Sequence, residues 1–332
     1  VQRLLEAAAG MAFSDSSEEG AAMDGFFTNT AYHQRDWSFG ELTVRGCTSN
    51  AASTDYDLTG QVPWPALTVL GHWLASDSGA AVVRGRSCLE LGAGTGITGI
   101  LAAAQRCASL TLTDHNSYVV DLLEQNIEMN EELFLHMAET PAAVQLDWED
   151  PPPEPSALHL YPSGAEQDGT EPDGFGVILA SDCLYCEAAV KPLFDTATHW
   201  LAADGVWVMA HIARWDNVEA ALAAEIAARP DLTVEEVDLA SFLPHAQPGY
   251  EPPPGTAGVI GSLRVPAAGA DASAAQGADT AATAGGDGGD VENSPVSLDG
   301  HSLADAHLRL IRWAGGKKTV PIAAEPEPQP ST

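Results

Sequence analysis

Hydrophobic residues recur along the middle of the chain in two alternating periods, one typical of strands and one typical of helices. Apolar stretches predict helices over 95–105 and 117–133. Shorter apolar runs predict buried strands at 87–91, 110–113, 144–146, 176–180 and 206–210. Strand and helix alternation of this kind indicates a parallel sheet with helices on both faces. The pattern therefore predicts an α/β, Rossmann-like domain.

The segments on either side of this pattern add three elements. Partial alternation around Gly40 predicts an N-terminal hairpin that carries Trp37, Phe39, Leu42 and Val44. Pro65 can open a helix, which Leu67, Leu70 and Leu74 continue at helical spacing. Near the other end, 307–313 predicts a last strand that returns to the edge of the sheet.

Composition divides the rest of the chain. Residues 1–34 are small and polar and predict a flexible leader, and 35–318 form one domain. Two insertions, 149–174 and 244–304, are rich in Pro, Ala, Gly and acidic residues. Segments of that composition cannot bury enough apolar area to offset chain entropy, so we expect disorder there. The Glu-Pro repeats of 319–332 predict a flexible tail.

Charge narrows the choice of partners. The 332 residues include 14 Lys and Arg against 47 Asp and Glu, a formal net charge of -33. Such a surface repels phosphate backbones and attracts basic proteins. A protein partner is therefore expected and a nucleic acid is not. No apolar run reaches the roughly 18–20 residues of a membrane span, so no membrane partner is expected either.

Five cysteines suggest a compartment and raise the question of a metal. Their number is odd and two lie in or beside predicted buried strands, which suits a reducing compartment: we expect a cytoplasmic protein, with the nucleus as the alternative. Cys183 and Cys186 form one isolated pair, whereas a zinc site needs about four ligands, so no metal is expected. The chain begins at Val1, which leaves a preceding targeting segment open.

The central motif is a glycine loop between the first buried strand and its helix, Glu90-Leu91-Gly92-Ala93-Gly94-Thr95-Gly96. Glycines let a ligand approach the main chain, and the following helix start presents N–H groups. The loop also satisfies the dinucleotide fingerprint, so NAD is one alternative and tight packing another. Glu90 favours S-adenosylmethionine, because a carboxylate there suits an ammonium and would repel a pyrophosphate. Asp114 closes the next strand and could accept both ribose hydroxyls of either cofactor.

Further candidates follow the later strands, at the carboxyl ends where ligands bind in such sheets. Trp148 could stack on adenine, with Asp147 positioning it, or cap the surface. Asp182 and Tyr185 are three residues apart, share a face on a helical turn and could hold an amine. The alternative for Asp182 is a helix N-cap with a packed Tyr185. Trp64 could close the cofactor pocket or belong to the core. His211 and Arg214 could line the substrate pocket, be packed, or face solvent.

Four motifs in this order resemble the methyltransferase-like protein-lysine methyltransferases, methyltransferase family sixteen. They are Thr59-Gly60 with Val62-Pro63-Trp64-Pro65, Leu89 to Gly96, Leu146-Asp147-Trp148, and Ser181-Asp182-Cys183-Leu184-Tyr185. The resemblance runs from about Trp37 to Arg214, with the final strand near 307–313. The run Leu184-Tyr185-Cys186 is similar to the branch that modifies eukaryotic elongation factor two. The two long insertions depart from the family.

The resemblance implies a seven-strand sheet with an antiparallel edge strand, and S-adenosylmethionine as the cofactor. It implies methyl transfer to a lysine on a protein substrate, with a translation factor or another basic protein as candidates. Implied catalytic residues are Asp182 and Tyr185. Implied cofactor contacts are Trp64, Gly92, Ala93, Gly94, Asp114, Trp148 and Ser181. Glu90 is a further expected contact, because its carboxylate suits the ammonium of the cofactor. Methylation of a small molecule or nucleic acid, and a cofactor-binding module without catalysis, remain alternatives.

Overall fold

The computed structural model describes residues 32–49, 56–151, 174–246 and 305–315. The strands in these ranges are β1 (Tyr32–Phe39), β2 (Leu42–Ser49), β3 (Ser87–Leu91), β4 (Ser109–Asp114), β5 (Ala142–Gln145), β6 (Phe175–Ser181), β7 (Leu201–Ile212), β8 (Leu232–Glu236) and β9 (Ala306–Trp313). β1 and β2 pair as a hairpin, and the other seven form one sheet in the order β5-β4-β3-β6-β7-β9-β8. The predicted α/β fold with a seven-strand sheet is confirmed.

One strand of the sheet runs against the others, and it is not at the edge. β3 pairs in parallel with β4 and β6, β4 with β5, and β6 with β7. β9 is antiparallel to both of its neighbours, β7 and β8. The expected position of the antiparallel strand is therefore wrong by one place, because β8 covers its outer side. β8 has only half-buried and exposed residues, so it lacks the apolar run that reveals the inner strands.

Helices follow most strands and cover both faces of the sheet. They are α1 (Ala66–Ala75), α2 (Asp77–Val83), α3 (Ile97–Ala104), α4 (Ser117–Glu128), α5 (Glu187–Trp200) and α6 (Asp216–Ala227). The helix predicted over 95–105 starts later because Gly96, with φ of 73°, is left-handed. The helix predicted over 117–133 ends at Glu128, and a 3-10 turn, Glu131–Phe134, follows. Between the helix and the turn, the side-chain Nδ2 of Asn130 donates to the backbone carbonyls of Arg45 (2.6 Å) and Asn126 (2.7 Å). These side-chain bonds compete with the helical backbone bonds.

The core has two layers because side chains of a strand alternate between the faces of a sheet. On β6, Val177 and Leu179 belong to the layer formed with the hairpin, α1 and α3. Ile178 and Ala180 belong to the layer formed with α5 and α6. The central strands are buried on both sides, as expected for a covered parallel sheet.

The predicted hairpin is confirmed, and it is an integral part of the core rather than an appendage. A Cβ on Gly46 would lie 2.7 Å from Ile97 Cδ1, so β2 approaches α3 as closely as a glycine permits. The fully buried Asn126 accepts the Cys47 amide at 2.6 Å and donates to the Cys47 carbonyl at 3.1 Å. The same side-chain amide donates to the Thr95 carbonyl at 2.8 Å. One α4 side chain thus joins the hairpin to the glycine loop.

The predicted disordered and flexible segments lie mostly outside the described residues: this holds for 1–31, 152–173, 247–304 and 316–332. Two boundaries need correction. β1 already starts at Tyr32, inside the predicted leader. Pro244–Ala246 forms a 3-10 turn next to the fully buried Leu243, so the second insertion starts after it. Among the described helices, none has the length and apolarity to cross a bilayer.

Candidate active site

The glycine loop connects β3 to α3 at the carboxyl edge of the sheet. Gly92, Gly94 and Gly96 have φ of 60°, 53° and 73°, a region that L residues rarely adopt. A Cβ on Gly92 would lie 2.9 Å from Cys183 Sγ and 3.1 Å from Trp148 Cζ2. Only glycine therefore leaves room at this point, and the loop forms a cradle of bare backbone between Cys183 and Trp148.

Asp114 is the last residue of β4 and lies beside the loop, as the sequence predicts. Its Oδ2 accepts the Gly94 amide at 3.1 Å, and its Oδ1 accepts the Asn116 amide at 3.3 Å. His115 Nδ1 lies 3.3 Å from the same Oδ1. The carboxylate is 6% exposed. It therefore both fixes the loop and places a negative charge at its edge, which suits a ligand with hydroxyl donors.

Glu90 is buried beneath the surface at which a ligand would make direct contact. Its carboxylate accepts the Thr98 hydroxyl and, at 2.8 Å, the Gly99 amide, both in α3. Burial raises the pKa of Glu90 to about 7, because desolvation outweighs these two donors and the nearby Asp114 opposes ionisation. The predicted contact with a cofactor ammonium stays a prediction, and Glu90 also serves to attach β3 to α3.

Trp148 forms the wall opposite the glycine loop. Leu146 leads from β5 toward it, with an amide that donates to the Asp114 carbonyl at 2.8 Å. The Trp148 ring is half-buried above Gly92, in contact distance of a Cβ there. Asp147 is exposed and its carboxylate accepts the Glu149 amide at 2.9 Å. The structure thus brings Trp148 to the loop, while Asp147 caps its own turn.

Asp182 follows Ser181 at the end of β6 and has four protein donors. Arg214 binds it through both nitrogens, Nη1 to Oδ1 at 2.7 Å and Nη2 to Oδ2 at 2.8 Å. The amides of Ala66 (3.2 Å, to Oδ2) and Ile212 (3.3 Å, to Oδ1) complete the set. A carboxylate has about four acceptor positions. A substrate amine would therefore have to share an oxygen with a donor already present, and the predicted catalytic role stays a prediction.

The predicted helical turn through Asp182 and Tyr185 is wrong. Asp182 has a left-handed φ of 59°, and α5 begins only at Glu187, with Cys186 as its N-cap. Asp182 does cap a helix, but a distant one: Ala66 is the first residue of α1, whose free amides and dipole favour a carboxylate. Tyr185, in contrast, is 42% exposed. The two residues thus differ in role, one internal and one at the surface.

Most residues of the described site lie in a span that matches a known protein family. A family model for lysine methyltransferases matches residues 51–224, more than half of the chain. The chain belongs to the lysine methyltransferase family. The matched span contains Trp64, the glycine loop, Asp114, Trp148 and the turn 181–185, whereas the hairpin, β8 and β9 lie outside it.

Three curated relatives have similar sequence identity to this chain. Protein N-lysine methyltransferase METTL21A of Mus musculus is 31% identical over 156 residues, which cover 47% of this chain and 62% of the relative. Protein-lysine N-methyltransferase EEF2KMT of Homo sapiens is 30% identical over 164 residues, 47% of this chain and 44% of the relative. Calmodulin-lysine N-methyltransferase of Arabidopsis thaliana is 30% identical over 142 residues, 42% and 40%. The chain spans less than two thirds of the length of each.

His211, which could line the substrate pocket, be packed or face solvent, lies inside the protein. His211 is 1% exposed, so the packed alternative is the correct one. Arg309 can only donate, and it does so to His211 Nδ1 at 3.0 Å, which leaves the proton on Nε2 for Glu219 at 3.1 Å. Burial and nearby cations lower the His211 pKa to about 3, so the ring is neutral. The His307 ring stacks on the His211 ring, with centroids 5.1 Å apart. His307 Nδ1 lies 2.7 Å from Glu236 Oε1.

Sequence reasoning missed the ion pair of Arg214 with Asp182 and the exposure of Trp215. Arg214 had no assigned partner, because Asp182 lies 32 residues earlier, beyond the end of the neighbouring strand β6, and no local pattern records that contact. Trp215, 49% exposed at the N-cap of α6, was not singled out. A bulky aromatic residue between the end of β7 and the start of α6 was the available signal. Cys183 is buried with a raised pKa, so it remains a thiol and packs against the loop.

Proposed function

We propose that this protein transfers a methyl group from S-adenosylmethionine to a lysine nitrogen of another protein. The observation that carries the proposal is the glycine cradle at the end of β3, with Asp114 bound to the Gly94 amide and Trp148 above Gly92. The cradle fits a cofactor that combines hydroxyl donors with an aromatic base. Membership of the lysine methyltransferase family supports the reaction and its acceptor.

Bound S-adenosylmethionine supplies an electrophilic methyl group on a sulfonium. The lysine must attack as a neutral amine, yet its reference pKa is about 10.4. Burial in a narrow pocket and a neighbouring positive charge both lower the pKa of an amine. The protein then contributes mainly alignment of the reacting atoms. Tyr185 is exposed and is therefore the candidate for orienting the amine. Asp182 contributes indirectly, because it joins the end of β6 to the start of α1 and to Arg214.

The surface around Tyr185 supports a basic protein segment as the substrate. Tyr185 and Trp215 are, with Leu135, the exposed large hydrophobic residues in the described ranges. Exposed carboxylates follow both aromatics, Glu187 after Tyr185 and Asp216 after Trp215. Aromatic residues are enriched at protein interfaces, and the net charge of -33 attracts a cationic partner. A translation factor or another basic protein is the proposed acceptor, in the cytoplasm, which the five free cysteines support.

The first experiment is calorimetric titration with S-adenosylmethionine and, separately, with NAD. We expect S-adenosylmethionine to bind and NAD not to. Asp114→Ala should abolish binding, because Gly94 loses its acceptor and the ligand loses the carboxylate. Asp147→Ala is the matched control, since its carboxylate caps only its own turn. Binding of NAD alone, or equal effects of the two variants, would contradict the proposal.

The second experiment follows a labelled methyl group from S-adenosylmethionine into lysate from cells that lack the protein. The label should resist nucleases, be released by protease and be recovered as methyl-lysine. Glu187→Gln combined with Asp216→Asn should raise the KM for the labelled acceptor. The pair Glu131→Gln and Glu132→Gln removes the same charge from an exposed turn elsewhere. An identical rise with both pairs would show that only the overall charge matters.

A further inference from the structure

Arg214 is the centre of a series of contacts that crosses the site from its substrate side to its cofactor side. On one side its two terminal nitrogens bind the two oxygens of Asp182, at 2.7 and 2.8 Å. The guanidinium is nearly buried and the carboxylate side chain is 1% exposed. A planar, two-bonded pair of this kind fixes orientation as well as distance. Asp182 is therefore held in a single position at the start of the turn that carries Tyr185.

On its other side Arg214 lies against Trp64. The guanidinium carbon is 5.7 Å from the centroid of the Trp64 ring, within the range of a cation–π contact. The ring nitrogen of Trp64 donates to the Thr59 carbonyl at 3.0 Å. The ring is therefore fixed at two points, its nitrogen by Thr59 and its face by Arg214.

The series ends at the glycine loop. A Cβ on Gly94 would lie 2.9 Å from the Gly60 carbonyl oxygen and 3.4 Å from its Cα, so the two backbones are in direct contact. Gly60 is the residue after Thr59, and Gly94 is the residue whose amide binds Asp114. Each step is thus a hydrogen bond, an ion pair or a packed contact between neighbouring groups.

From this series we propose that Arg214 is a positioning residue that couples the cofactor loop, through Trp64, to Asp182 and the Tyr185 turn. The inference rests on the proposed function, because Trp64 is assumed to border the cofactor. A cofactor that packs against the Gly94 loop and Trp64 fixes the Trp64 ring. The ring fixes the Arg214 guanidinium, and the guanidinium fixes Asp182. The substrate turn is thereby held more firmly when the cofactor is present. Arg214 itself needs no contact with substrate.

Variants of Arg214 test the coupling through the affinity for S-adenosylmethionine. Arg214→Lys keeps the charge but loses the fork and the flat stacking face. We expect its Kd to rise about tenfold, the loss typical of one charge-assisted hydrogen bond. Arg229→Lys is the matched control, because Arg229 has similar chemistry away from the loop: it binds Asp195 and lies 5.6 Å from the Phe194 ring. Its affinity should be unchanged.

A double-mutant cycle with Trp64→Leu separates coupling from general loosening. If Arg214 acts through Trp64, then Arg214→Lys should have almost no further effect on Kd in the Trp64→Leu protein. Additive effects of the two substitutions, or an unchanged Kd in Arg214→Lys, would overturn the proposal. Failure of the unmodified protein to bind S-adenosylmethionine would instead refute the proposed function.

A measurement on the unmodified protein gives an independent test if a variant does not fold. S-adenosylhomocysteine is added and amide hydrogen exchange is followed at Ala66 and Ile212, the two amides that donate to Asp182. Coupling predicts slower exchange at both, in parallel with the amide of Gly94. Protection at Gly94 without any change at Ala66 and Ile212 would show that the series transmits nothing.

Discussion

Glu90 should make the stability of this protein fall as the pH rises from weakly acid to neutral. Its carboxyl is 1% exposed, and burial raises its pKa to about 7 from the ordinary 4.5. In the unfolded chain the group returns to the ordinary value. Between these two values the folded protein holds a proton that the unfolded chain has released, so each increase in pH favours unfolding. The stabilisation is complete below pH 4.5 and lost once the pH passes 7.

The size of the effect follows from the difference of the two pKa values. Each pKa unit corresponds to about 1.4 kcal/mol, so the full difference is about 3 kcal/mol of unfolding free energy. Roughly 2 to 3 kcal/mol of it falls between pH 5 and pH 8.5, a range that avoids the loss of net charge at lower pH. Glu90→Gln has no proton to release. Its amide can still bond to Gly99 and Thr98, because the Thr98 hydroxyl can accept as well as donate.

The assay is urea unfolding of the unmodified protein and of Glu90→Gln at several pH values across that range. The difference between their unfolding free energies isolates Glu90 from the other carboxylates. The unmodified protein should lose about 2 to 3 kcal/mol relative to the variant between pH 5 and 8.5. Glu124→Gln, on the exposed side of α4, controls for the loss of one charge. A difference that stays constant with pH, or that grows in favour of the unmodified protein, would refute the reasoning.

Two further substitutions test the packing around the site. Gly92→Ala places a methyl group 2.9 Å from Cys183 Sγ at a left-handed φ. We expect it to lower the unfolding free energy by about 1 to 3 kcal/mol and to weaken cofactor binding in calorimetry. An unchanged affinity would mean that the glycine cradle does not contact the cofactor. Asn126→Ala removes three buried hydrogen bonds and should cost about 2 to 4 kcal/mol. Hydrogen exchange should then quicken at Cys47, and equal protection there would show that the hairpin is held by apolar contacts alone.

The inner strands were predictable because they are buried on both sides. The run Ser87–Leu91 has the same bounds in the sequence pattern and in the structure, and the run at 176–180 differs by one residue at each end. The edge strand β8 was missed for the opposite reason, since its sequence, Leu-Thr-Val-Glu-Glu, is mostly polar and its pairing depends on β9. Local patterns report burial, and an edge strand has little of it.

The residues of the candidate site also differ in how far their positions could be predicted from local sequence patterns. The glycine loop and Asp114 are connected by a short βαβ segment, so a motif in the sequence could place them together. The ion pair of Asp182 and Arg214 joins the ends of two different strands, and no spacing rule predicts it. The prediction of one face shared by Asp182 and Tyr185 failed because it assumed helical φ at Asp182. A positive φ is uncommon in any residue other than glycine, and although Asp adopts it more often than most, the sequence does not show where.

The place of β9 between β7 and β8 gives the sheet an order of completion during synthesis. The β8 residues leave the ribosome first, but among the described strands their only partner is β9, which follows the long segment 247–304. At the usual rate of synthesis this delay is on the order of several seconds. Throughout it, β7 and β8 both present unpaired backbone edges, which invite pairing with other chains. The nascent chain is thus open to chaperones and to self-association at these two edges in that interval, and the arrival of Ala306–Trp313 ends it.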